Sequence, residues 1–219
     1  MRCPAVQLQS FVPLVCWGFC DLLGTYKTLG VKTMHASSER LKESINQAKN
    51  VRIYKNKDTP YDFKLYPFGE RGTFIAPELI HEITDNLAES ITGQFSAYDY
   101  IVSPEPGGHT WGILAAYKLM KPLNILRLST ELYENYEVCI KRETAYNENY
   151  IYFDGFKAGD RVLLLDDVIS SGATIRAIAQ QLKDMGVYLV GVQAILAKGE
   201  HYKALEADYE IPVRFLSKV

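Results

Sequence analysis

Arg161-Val-Leu-Leu-Leu-Asp166-Asp167-Val-Ile-Ser170-Ser171-Gly172-Ala-Thr174-Ile175 is the stretch whose reading decides the fold. Between Arg161 and Asp166 it is a continuous apolar run, bounded by Gly159-Asp160 and by acids, which is the pattern of a strand covered on both faces. Ile175, Ile178, Ala179, Leu182 and Met185 then recur at helical spacing as far as Gly186, a natural residue to follow a helix. Val187 to Leu196 supplies a second buried strand. The same alternation stands upstream. Ala76-Pro77-Glu78 sets a proline where a helix can begin without losing a needed donor, and Leu79, Ile80, Ile83, Leu87 and Ile91 fall on one face. Tyr98 to Val102 is a short β-prone run ending in a Pro/Gly turn, His109 to Met120 resumes helical spacing until Lys121-Pro122, and Asn124 to Leu128 reads as the next strand. Strand, helix and strand, twice over, predict an α/β fold with a mostly parallel central sheet of about five strands and flanking helices. Ligands of such sheets sit beyond the carboxyl ends of the strands.

The whole chain of 219 residues, 47% apolar and 23% charged, has the composition of one globular domain. With 24 basic and 26 acidic residues its net charge is −2, so the basic footprint that grips nucleic acid is missing. Four cysteines without a C-x-x-C pair and four scattered histidines argue against zinc and against a disulfide framework, and small reduced cysteines suit a cytoplasmic protein. Phe11 to Leu23 is apolar but too short to span a bilayer, and Pro13 and Asp21 interrupt it, so no membrane partner is expected. Arg2 ahead of that run leaves a signal peptide open, although no small-x-small cleavage site follows. The preferred reading makes residues 1–33 an N-terminal extension of unknown role and residues 34–219 the functional domain, starting at Met34.

The sheet rule directs attention to Asp166 through Thr174. A helix N-terminus presents unpaired N–H groups and the positive end of the helix dipole, Gly172 admits close backbone approach, and Ser170, Ser171 and Thr174 add hydroxyls. That chemistry suits a phosphate. Asp166 and Asp167 cannot serve the same anion; they match sugar hydroxyls, or a Mg²⁺ bridging hydroxyl and pyrophosphate oxygens. A solvated Asp-Asp turn and a simple serine cap are the ordinary alternatives, and neither accounts for the strand, paired acids, hydroxyl-glycine turn and helix together. A Walker A loop is absent.

At these residues the sequence resembles the type I phosphoribosyltransferases, whose signature for phosphoribosyl pyrophosphate (PRPP) is an apolar strand, two acids and a Ser/Thr-Gly turn. The likeness runs from about Ile75 to the C-terminus, through Ala76-Pro77-Glu78-Leu79, Ser103-Pro-Glu-Pro-Gly-Gly108 and Tyr146 to Thr174, and is strongest toward purine enzymes of the adenine and archaeal hypoxanthine/guanine kind. The resemblance implies that fold with a small hood, taken to comprise the segment before Pro77 and a strand near Val213 to Leu216. It implies a glycosyltransferase of purine salvage that moves phosphoribosyl from PRPP to a purine base, giving a nucleotide and pyrophosphate. Asp166 and Asp167 would hold the ribose hydroxyls, and Ser170, Ser171, Gly172, Ala173 and Thr174 the 5′-phosphate. Glu105, Pro106, Gly107 and Gly108 would wrap the pyrophosphate, Arg127 would neutralise it, Tyr146 would lie in a closing loop, and Lys198 would meet the base. Mg²⁺ would arrive mainly through PRPP and pyrophosphate rather than on protein ligands, and a homodimer is expected.

Taken singly, residues 104–108 could be a tight connection, Arg127 a surface cation, and Tyr146 one of 15 tyrosines. His109 and Trp111 read as packing or helix-start residues, and Glu131 to Glu137 with Lys141-Arg142 as a solvated face. There are departures from the family pattern. Ser170 stands where many 6-oxopurine enzymes place an aspartate, Gly107 where adenine enzymes often carry an arginine, and the segment after Arg127 has no lysine-rich run. Two other readings stand beside this one: a non-catalytic PRPP-binding regulator, to which the missing lysines point, and an orotate phosphoribosyltransferase, whose signature is similar but whose basic mobile loop is not recognisable here.

Overall fold

The computed structural model describes residues 38–54, 60–69, 74–129, 138–143 and 148–219, all inside the unit Ala36–Val219. In chain order the elements are α1 (Glu39–Asn46), β1 (Lys49–Tyr54), β2 (Pro60–Leu65), α2 (Pro77–Gln94), β3 (Tyr100–Pro104), α3 (Gly108–Leu119), β4 (Leu123–Leu126), β5 (Leu128–Ser129), β6 (Cys139–Glu143), β7 (Glu148–Tyr152), β8 (Arg161–Ile169), α4 (Ala173–Asp184), β9 (Tyr188–Ala197), α5 (His201–Tyr209) and β10 (Val213–Lys218). The central sheet has five strands in the order β10-β9-β8-β3-β4, every neighbouring pair parallel.

Strand β8 lies in the middle, and Val162 to Leu165 are fully buried because alternate side chains enter two separate cores. On one face Leu163 and Leu165 pack with Leu41 of α1, Ile83, Leu87 and Ile91 of α2, and Trp111 of α3. On the other, Val162 and Leu164 pack with Ile175, Ile178 and Leu182 of α4 and Leu205 of α5. Both helical stripes expected from the spacing are therefore core faces. None of the described helices is long and apolar enough to cross a membrane.

Three boundaries differ from expectation. Strand β8 continues past Asp166 to Ile169, so both acids sit within the strand rather than after it. The run Asn124 to Leu128 breaks at Arg127: β4 ends at Leu126, and Leu128 begins β5, which joins β7 and β6 in a separate antiparallel sheet. The turn is fixed by Glu105, whose carboxylate accepts the Leu128 N–H at 3.0 Å. The C-terminal strand does not belong to the hood. β10 pairs parallel with β9 over Val213 to Lys218, because α5 crosses over and makes a further β-α-β unit. The hood that the structure does show before Pro77 is the antiparallel pair β1 and β2.

Candidate active site

The two acids stand on β8 at the centre of the sheet, where this strand outruns β3 on one side and stays paired with β9 on the other. Asp166, 9% exposed, accepts the Asp167 N–H at 2.9 Å, and Asp167 in turn accepts the Val168 N–H at 2.7 Å. Each carboxylate is thus held against the next peptide. Burial pushes the Asp167 carboxyl above the usual aspartate range, outweighing the Val168 hydrogen bond, the Asp166 contact and the attraction of Lys198, all of which pull it down.

The turn after β3 presses against this pair. A methyl group on Gly107 would lie 2.2 Å from Asp167 Oδ2, and one on Gly108 would lie 2.9 Å from Asp166 Oδ1. Glycine is needed here for space rather than for an unusual backbone angle. The Ser103 hydroxyl reaches the carbonyls of Gly108 at 2.7 Å and Leu165 at 2.6 Å, so its one proton is shared between the turn and the strand that carries the acids. His109 Nδ1–H donates to the Pro106 carbonyl at 2.7 Å, closing the turn from the helix side.

Beyond β8 the chain enters α4 through Gly172, whose φ of 76° is the left-handed conformation that glycine adopts without strain. No side chain caps the helix at Gly172; the Ser171 hydroxyl makes only a long 3.4 Å contact with the Ala173 N–H. The first-turn amides have no acceptor within the helix and remain available to an anion. The simple serine cap therefore does not account for this turn.

The hood supplies the third wall. Phe63 and Tyr66 face Lys198 at the carboxyl end of β9, whose ammonium stands 5.0 Å from the Tyr66 ring centroid and 5.6 Å from that of Phe63. Burial lowers the Lys198 pKa; Asp167 opposes that shift and Lys64 adds to it. Tyr66 stacks on Phe68 at 5.3 Å, and the Phe68 carbonyl accepts the indole N–H of buried Trp111 at 3.0 Å. Trp111 is thus a packing residue that anchors the hood to α3.

One cavity of about 720 Å³ joins these parts. Asp166, Asp167, Ser170 to Thr174, Glu105, Pro106, Gly107 and Lys198 all line it, as the sequence reading grouped them. Gly108 lies buried just behind, as the first residue of α3. Arg127 does not line the cavity: its side chain is 75% exposed at the rim and sits 3.3 Å from Glu105 Oε1. Tyr146 and Glu131 to Glu137 lie outside the described residues; Lys141 and Arg142 fall in β6. Sequence reasoning missed Phe63 and Tyr66, although the alternation Tyr61-Asp-Phe63-Lys-Leu65 was a strand signal that could have placed them. It also missed Ile140 and Ile151, cross-strand partners that form an apolar wall beside Ala173 and Ala177. Among the described residues no three His, Cys, Asp or Glu side chains are gathered as a ready-made metal site.

Comparisons with known proteins agree with this geometry. The profile of the phosphoribosyl transferase domain matches residues 74–214. A hypoxanthine/guanine phosphoribosyltransferase of Methanosarcina mazei is 30% identical over 167 residues, which are 76% of this chain and 84% of that protein. An HGPRTase-like protein of Halobacterium salinarum is 31% identical over 174 residues, 79% of this chain and 88% of the other. Among solved structures, an adenine phosphoribosyltransferase of Thermoanaerobacter pseudethanolicus superposes with a TM-score of 0.62 at 20% identity, covering 82% of this chain and 99% of its own, which attests the shared fold. With the profile spanning both loops that frame the acid pair, the chain belongs to the phosphoribosyl transferase domain family.

Proposed function

We propose that the protein transfers phosphoribosyl from PRPP to a purine base, releasing pyrophosphate and a purine nucleotide. The observation that carries this reading is the convergence on one cavity of an uncapped helix N-terminus, an acid pair of which Asp166 is buried and Asp167 half-buried, a glycine turn and an aromatic slot with a lysine. In this assignment Ser170 to Thr174 hold the 5′-phosphate, Asp166 and Asp167 accept the ribose hydroxyls, and Glu105 to Gly108 wrap the pyrophosphate. Departure of pyrophosphate breaks the bond at C1 and leaves positive charge on the ribose while negative charge builds on the leaving group. A purine nitrogen attacks C1 from the opposite face, and its proton passes to solvent or to the leaving group. The acid pair favours the cationic ribose, the amides at Gly107 and Gly108 favour the anion, and Arg127 is close enough to the turn to leave Glu105 for the departing diphosphate. The hood and the Ile140–Ile151 wall reduce access of water to the electrophile.

The donor set fits Mg²⁺, which binds through one or two carboxylates together with substrate oxygens and does not need a protein cage. Asp166 and Asp167 would receive it along with PRPP, and its charge would favour departure of the diphosphate. Lys198 offers hydrogen-bond donors and no acceptor, which suits the 6-oxo group of hypoxanthine or guanine and disfavours the 6-amino group of adenine. A homodimer is part of this proposal: Ile113 and Tyr117 of α3 and Met120, which follows the helix, are exposed at helical spacing and make an apolar strip.

Incubation with PRPP, Mg²⁺ and each purine in turn, following nucleotide and pyrophosphate, tests the reading. Turnover of hypoxanthine or guanine above adenine is expected. PRPP binding without turnover of any purine would favour the regulator reading, and turnover of orotate alone would replace the purine assignment.

A further inference from the structure

Arg176 stands one turn into α4, on the far side of the phosphate turn from the cavity, and is not among the residues that line it. Its Nη1 donates to the Ser171 carbonyl at 3.0 Å, and its Nε faces Asp208 Oδ2 of α5 at 3.4 Å. The hydroxyl of Tyr209, the next residue of α5, donates to the Arg176 carbonyl at 3.0 Å. Leu205, fully buried on the same helix, backs Gly172, where an added methyl would come within 3.2 Å of Leu205 Cδ1 and 3.3 Å of Arg176 Nη1. The turn therefore rests on a brace of Arg176 and α5.

The direction of one peptide makes that brace consequential. In a trans peptide the C=O and N–H point opposite ways, so a Ser171 carbonyl turned back to Arg176 sends the Gly172 N–H away from it. The residues on that opposite side, Ser170 to Thr174, line the cavity. A charge-assisted hydrogen bond on the carbonyl also polarises the peptide and strengthens its N–H as a donor. Resting on the functional reading above, we propose that Arg176 is a positioning residue for the donor's 5′-phosphate: it locks the Ser171–Gly172 peptide with its N–H toward the anion, and Asp208 holds Arg176 in place.

Ribose 5-phosphate and pyrophosphate, measured separately by calorimetry on the full chain, divide the site into its two anion subsites. Arg176→Met, which keeps the aliphatic stem, is expected to weaken ribose 5-phosphate about tenfold and to raise the KM for PRPP with little change in kcat. Pyrophosphate affinity and the KM for the purine should stay within about twofold. Arg176→Lys keeps the charge but cannot serve Ser171 and Asp208 with one planar fork, so it should fall between wild type and the methionine variant. Asp208→Asn should show a smaller loss of the same kind that vanishes in the Arg176→Met background, as expected for two residues acting through one contact. If Arg176→Met does not fold, the lysine and asparagine variants carry the test. Equal weakening of both ligands, or of neither, overturns the positioning role. Failure of the wild type to bind ribose 5-phosphate or pyrophosphate would instead overturn the functional reading itself.

Discussion

Substituting Gly107 by alanine tests the close approach on which the active-site reading depends. Gly107 has φ −82° and ψ −37°, an ordinary right-handed conformation that alanine adopts freely, so the backbone itself offers no objection. The objection comes from Asp167, because the new methyl would stand 2.2 Å from Oδ2 and 2.3 Å from Cγ. Either the carboxylate rotates or the turn retreats. Rotation gives up the 2.7 Å bond from the Val168 N–H, a charge-assisted contact worth about 1.5–3 kcal/mol, which corresponds to about a ten- to hundredfold effect on a binding constant. Retreat of the turn by about 1 Å would displace the amides proposed to hold the pyrophosphate and cost about a hundredfold in rate. Both routes predict that kcat/KM for PRPP falls about ten- to hundredfold, with a loss of stability of about 1–3 kcal/mol from overpacking. Steady-state kinetics with varied PRPP and a denaturant melt measure the two effects. A variant whose kcat/KM stays within about twofold of wild type would show that Asp167 and the turn do not act as a unit.

Other expected outcomes follow from the same contacts. Asp167 has a raised pKa in the fold, so its protonated form is favoured there: the stabilisation is complete below the ordinary aspartate pKa and is lost as pH rises through the raised value. Asp167→Asn should therefore melt higher than wild type at neutral pH, with the gap closing in acid, while PRPP binding is lost. Lys198 has a lowered pKa, so its ammonium is lost on the alkaline side before an ordinary lysine would lose it. The KM for a 6-oxopurine should rise there, and Lys198→Met should abolish that limb of the pH profile. Tyr100→Phe, which removes the 2.7 Å bond to Asp160, should lower the melting temperature without changing kcat/KM for PRPP. A chain starting at Met34 should keep the activity of the full chain in the same assay.

The parts legible in sequence are those whose physics is local. Ile83, Leu87 and Ile91 share a helical face whatever they pack against, and the run Val162 to Leu165 needs burial on both sides. The turn from Ser170 to Thr174, proposed to hold a phosphate, was legible because its components are contiguous. The last crossover was missed because α5 buries only Leu205, which leaves no stripe to read, and β10 alone does not reveal which neighbour it will join. The slot proposed for the base was hidden by distance along the chain: Phe63 and Tyr66 acquire meaning only when Lys198, just past the end of β9, comes within 5.6 Å and 5.0 Å of their rings. Arg127 shows the reverse failure, since its position after a strand was readable but the break that turns its side chain to the rim, set by Glu105, was not.

Asp167 and Lys198 explain one another through what each lacks. Burial disfavours the charged form of both, and their mutual attraction does not fully offset it, since the aspartate stays raised and the lysine lowered. Replacing two such charges by apolar groups of similar volume is often neutral or stabilising, so stability alone does not account for them. The presence of both charges is accounted for if each finds its partner in a substrate, the aspartate in ribose hydroxyls and the lysine in the purine oxygen. The two substrates then act on different members of one electrostatic pair. Sugar hydroxyls that satisfy Asp167 loosen its hold on Lys198 and free the ammonium for the base, so PRPP analogue and purine should bind more tightly together than either does alone, by a coupling that Lys198→Met removes.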